Sequence, residues 1–103
     1  YITKLKSVDR QILIWGAGSG GNKTLEFLKS FEVEIQGFID INSSRWEKEF
    51  CNYPIYGPSF LKDDQNRPFI IIGSMYVGEI EKDLMDMGYF RKKDYLRPII
   101  KIR

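Results

Sequence analysis

Histidine is absent from the 103 residues, and cysteine occurs once, at Cys51. The first absence removes the side chain best suited to proton transfer near neutral pH and a common metal ligand, so no metal site is expected. The second excludes an intrachain disulfide, and a reducing cytoplasm is the expected compartment. Cys51 has no visible activating partner and reads as a small buried residue. No apolar run approaches the roughly 20 residues that a membrane-spanning helix requires. No single sign of charge dominates, because 16 basic and 14 acidic residues are interleaved. Such a pattern gives little of the sustained field that nucleic-acid binding needs, so nucleic acid is not expected as a partner. The densest basic stretch, Arg91 to Arg103, reads as a solvated edge. No leader segment is visible, and the sequence starts at Tyr1, so the chain is expected to be one domain of a longer protein.

What is present is ordinary in bulk and specific in one place. A hydrophobic fraction of 43% with 29% charged residues suits a single modest core. After Gln11, Ile12 to Trp15 form an apolar run that feeds directly into Gly16-Ala17-Gly18-Ser19-Gly20-Gly21, spaced G-x-G-x-x-G. In a nucleotide-binding turn the first glycine, Gly16, permits the sharp bend off the strand. Gly18 lets the main chain approach a phosphate, and Gly21 lets the next helix pack against the sheet. That helix is expected from about Gly20 to Ser30, with Thr24, Leu25, Leu28 and Phe31 on its apolar side. The start of such a helix carries free N–H groups and partial positive charge, which favour an anion.

Val33 to Asp40 reads as the second strand of a βαβ unit, placing Asp40 at its carboxyl edge. Asp40 lies 19 positions after Gly21, near the roughly 20-residue spacing at which an acid bonds ribose hydroxyls. The alternative is that Asp40 and Asn42 only close a turn. As an anion, Asp40 would repel a 2′-phosphate, which disfavours NADP. Ser44 and Glu47 have capping-box spacing, so a short helix is expected over 44–50. Trp46 there either covers a bound base or packs its helix. Tyr53 to Tyr56 reads as a brief edge strand because of Pro54, and a small helix follows through Leu61.

Phe69 to Gly73 reads as a central strand buried on both faces. Val77, Ile80, Leu84 and Met87 then repeat at helical spacing until Gly88 stops the helix, and a last short strand is expected within 94–102. Ser74, Met75 and Tyr76 leave the carboxyl end of the central strand, where open α/β sheets bind ligands. Three sharper motifs fail. Lys23-Thr24 lacks the glycines of a P-loop, apolar Ile14 stands where S-adenosylmethionine methyltransferases carry an acid, and the Tyr89/Lys93 pair follows a helix stop.

The ordered set Ile14 to Gly21, Gly37 to Asn42, Tyr53 to Pro58 and Ile71 to Tyr76 resembles a small Rossmann-like domain of bacterial surface-sugar biosynthesis. It is similar to the amino-terminal domain of sialic-acid-type nucleotide-sugar acyltransferases, and to domains attached to FkbM-type and sugar methyltransferases. The chain departs from the acyltransferase pattern at Trp15 and at Lys23-Thr24. The resemblance implies nucleotide contacts from Gly16 to Gly21, Asp40, Asn42 and Ser74, with catalysis in a separate domain of the parent chain.

The expectation is therefore an α/β, Rossmann-like, three-layer domain with a mostly parallel sheet of three to five strands. Its candidate ligand residues are Gly16, Ala17, Gly18, Ser19, Gly20, Gly21, Asp40, Asn42, Ser74, Met75 and Tyr76. The ligand is a nucleotide or nucleotide-sugar, and the domain alone is not expected to be an enzyme. Two alternatives remain: an NAD-binding domain of a dehydrogenase or epimerase, of which only one half is visible, and a degenerate packing or dimerisation domain. A homo-oligomer is compatible with each.

Overall fold

Three short apolar segments build the centre of the molecule. A computed structural model describes residues 2–63, 65 and 67–102. After helix α1 (Ile2–Ser7), strand β1 (Ile12–Trp15) leads into α2 (Ser19–Ser30) and β2 (Gly37–Ile39). A 3-10 turn at Ser43–Arg45 precedes β3 (Glu49–Phe50) and β4 (Tyr53–Tyr56), and a second, Pro58–Lys62, precedes β5 (Phe69–Ile72). Helix α3 (Val77–Asp86) and β6 (Tyr95–Leu96) complete the fold.

The six strands lie in the order β3-β4-β2-β1-β5-β6, one more than the upper expectation. All neighbours are parallel except β3 with β4. The additional strand is a two-residue margin too short to show a period. Taken in chain order, the parallel strands have the 3-2-1-4-5 arrangement of a doubly wound sheet, with its switch point between β1 and β5.

Strand alternation divides the core into the three layers. Ile12, Ile14, Phe69 and Ile71 face Leu5 of α1 and Leu25 and Leu28 of α2. Leu13, Trp15, Ile70 and Ile72 face Ile80 and Leu84 of α3. Every residue of β1, β2 and β5 is buried, as parallel strands covered on both sides require. Gly88 adopts φ +81° and ends the α3 segment, the left-handed stop read from the sequence. No helix among the described residues is long and apolar enough to cross a membrane.

Three local expectations are corrected. The helix over 44–50 is absent: its first part is the 3-10 turn, with Asn42 rather than Ser44 as cap, and its end is β3. Cys51 and Asn52 both have positive φ and join β3 to β4 as a two-residue hairpin loop. Strand β4 is interior to β3, not an edge. Pro54 is tolerated because pairing with β2 begins at Ile55, one residue later. Finally, Val33 and Ile35 are buried but lie outside β2, so their alternation reports burial and not a ladder.

Candidate functional site

Above the switch point, a cleft of about 480 Å³ opens over the carboxyl ends of β1, β2 and β5. Ten of the eleven candidate residues line it: Gly16 to Gly20, Asp40, Asn42 and Ser74 to Tyr76. Gly21 does not, because it packs behind the turn. A Cβ there would lie 1.8 Å from the Gly16 carbonyl oxygen. Gly16 itself adopts φ +130°, which disfavours a side chain, and its main chain passes over the end of β5.

Gly18 differs from both. A Cβ added to it would meet only the Arg45 guanidinium, at 3.6 Å, so its exposed side belongs to the cleft. Gly18 also starts α2 without any side-chain cap. By helix geometry the first N–H groups point out of this end, past Gly18, Ser19 and Gly20. The result is an anion-favouring corner.

Asp40 borders that corner and is nearly buried. Its Oδ2 accepts the Ala17 N–H at 2.9 Å, and its Oδ1 accepts the Asn42 N–H at 2.8 Å. Asp40 therefore ties the end of β2 to the glycine turn and closes the following loop. A carboxylate retains further lone pairs toward a hydroxyl after these bonds. Asn42 is turned to its own loop, its Oδ1 accepting from the N–H and hydroxyl of Ser44. Ser74 Oγ accepts the Tyr76 N–H at 3.1 Å, which shapes the loop after β5 and leaves Met75 and Tyr76 exposed at the mouth.

The sequence reading missed Arg45, Ile41, Gly73, Glu79, Ile80, Asp83 and Ile102, which also line the cleft. Arg45 Nη1 pairs with Asp40 Oδ2 at 3.2 Å and donates to the Ala17 carbonyl. Its only sequence signal was proximity to Asp40, obscured by the expected helix. Glu79 and Asp83 come from α3 and make the opposite wall acidic. Trp46 does not line the cleft: its Nε1 donates to the Asp40 carbonyl at 2.6 Å, and its ring packs on Gly57. Cys51 is half-buried and lies 3.3 Å from Asn22 Oδ1.

A doubly wound order, a glycine turn at the switch point and an acid ending the second strand define a Rossmann-like α/β domain. The chain belongs to the C2185-like, N-terminal family, whose family model matches residues 8–94. No curated protein matches it.

Among solved structures, it is similar to RSP, a Rex-family repressor, with TM-score 0.60 and 14% identity over 93% of this chain and 54% of that one. RSP in complex with β-NAD+ and operator DNA gives TM-score 0.57 and 15% identity, over 92% of this chain and 53% of that one. RSP in complex with β-NADH gives 0.57 and 14%, over 97% and 58%. At these identities the likeness shows a shared fold, and the chain spans little more than half the length of these repressor chains.

The exclusion of nucleic acid is thereby corrected. A protein with this fold has been solved on operator DNA, so interleaved charge in a chain of this fold does not exclude such a partner. None of these similar structures is a polysaccharide-biosynthesis protein.

Proposed function

We propose that this chain is a nucleotide-binding domain that holds a diphosphate against the start of α2 and serves a second domain of a longer protein. The observation that carries this reading is the uncapped helix start beside open Gly18, within a cleft at the switch point of the sheet. Asp40 stands where a ribose would follow the phosphate, and Met75 and Tyr76 offer apolar surface at the mouth. In this reading Gly16 and Gly21 shape the turn, Ala17 to Gly20 meet the phosphate, and Asn42 and Ser74 to Tyr76 bound the rest of the ligand. The sequence resemblance favours a nucleotide-sugar and a cytoplasmic role in bacterial glycan assembly.

A second reading, NAD(H), is favoured by the strand order. Strands β5 and β6 lie beyond the switch point, so more of a dinucleotide fold is present than one βαβ half. The similar repressor structures hold β-NAD+ and β-NADH.

Titration of the 103-residue chain with UDP-, dTDP-, GDP- and CMP-sugars, NAD+ and NADH, followed by amide shifts, tests both. Saturable shifts centred on Gly18 to Gly20 are expected for one ligand class, and that class selects between the readings. A spectrum unchanged by every ligand refutes nucleotide binding.

A further inference from the structure

We infer that Arg45 recognises the ligand's phosphate, and that it does so by exchanging its present partners for the incoming anion. This rests on the nucleotide-binding reading and adds to it the residue on which that binding turns.

The argument begins with charge. Among the described residues lining the cleft, Arg45 is the one cation, facing the carboxylates of Asp40, Glu79 and Asp83. Without a cation directed at it, a diphosphate would enter a net negative site, and a helix terminus offsets only about half an elementary charge. Position gives the second step. Arg45 Nη1 stands 3.6 Å from the Cβ position of Gly18, on the side that the glycine leaves open. A phosphate at the start of α2 therefore lies within reach of this guanidinium.

The remaining steps concern what Arg45 is free to do. Only Nη1 has partners, Asp40 Oδ2 and the Ala17 carbonyl, while Nε and Nη2 have none among the described residues. A guanidinium offers five donors in a planar fork that matches phosphate oxygens, so most of its capacity is unused. Its side chain is 44% exposed and can rotate, whereas its backbone is fixed in the Asn42-capped turn. Turning toward a phosphate releases Asp40 Oδ2 from the ion pair. That oxygen then has an added lone pair for a ribose hydroxyl, which couples recognition of the two groups.

The test uses Arg45→Gln and Arg45→Lys with UDP-glucose and NAD+, read by calorimetry at low and physiological salt. For whichever ligand the wild type binds, Arg45→Gln is expected to weaken affinity about tenfold or more and to flatten its salt dependence. Arg45→Lys, which keeps the charge but not the fork, should recover part of the loss. A loss below threefold overturns the assignment. So does a larger loss with undiminished salt dependence, because Arg45 would then only brace the glycine turn. Either result leaves nucleotide binding intact, whereas a wild type that binds neither these ligands nor the other nucleotide-sugars overturns both.

Discussion

Replacing Asp40 with alanine removes one acceptor group from three donors at once. The Ala17 N–H loses a buried, charge-assisted bond of 2.9 Å, worth about 1.5–3 kcal/mol. The Asn42 N–H loses a half-exposed bond that water can replace, worth about 0.5–1 kcal/mol. The pair with Arg45 is 44% exposed on the arginine side, and solvent screening reduces it to about 0.5 kcal/mol. Together they predict a loss of about 2.5–4.5 kcal/mol for Asp40→Ala, which lowers the melting temperature by about 10–35 °C in a domain of this size. Urea unfolding followed by tryptophan fluorescence reads it, because Trp15 is 2% exposed and changes environment fully on unfolding. A loss below about 0.5 kcal/mol would refute the view that Asp40 holds the glycine turn. Loss of ligand binding in this variant therefore does not by itself demonstrate ribose contact. Asp40→Asn, which retains one acceptor oxygen, is the gentler variant for that purpose.

Other perturbations separate packing from function. Gly21→Ala should cost about 3 kcal/mol or more, since its Cβ meets the Gly16 carbonyl, whereas Gly18→Ala should stay within about 0.5 kcal/mol in stability while weakening ligand binding. Thermal melts and titration of both variants check the contrast. Gly78→Ala lies in α3 with nothing within 4 Å of its Cβ, so chemical denaturation should show a gain of about 0.5–1 kcal/mol.

Asp94 supplies a pH dependence. Burial pushes its carboxyl up, but the Phe90 N–H, Arg10 at 3.0 Å and Arg67 at 3.5 Å together hold it below its ordinary value. Its contribution is then fully present above the unfolded value of about 4 and is lost as pH falls through the lower folded value. Denaturant midpoints measured from neutral pH into acid should fall less steeply for Asp94→Asn, which should also be about 1–2 kcal/mol less stable at neutral pH.

The glycine turn, α2, β5 and α3 were legible because each is specified locally, by contiguous apolar residues or by a helical period closed with glycine. The β3–β4 hairpin was not. Its loop requires two positive φ angles, which Asn52 suits and Cys51 does not advertise. Glu47, read as part of a capping box, also adopts positive φ and cannot continue a helix. The near wall of the cleft was read from Gly16 to Asn42 and the loop after β5. Arg45 was missed because its position depends on an Asn42-capped turn folding back over Gly18, a contact that spacing does not encode. The spacing of Asp40 suits both a ribose contact and a turn closure, and its bonds to the Ala17 and Asn42 N–H groups are those of the turn.

Both margins of the sheet are two-residue strands, Glu49–Phe50 on one side and Tyr95–Leu96 on the other. A flank so brief presents too few free main-chain groups to recruit an extended segment from another molecule. Growth of the sheet across copies is disfavoured on either side. Any companion domain or second subunit must instead meet this one through its helices or the loop-bearing rim, close to the mouth where a ligand would enter.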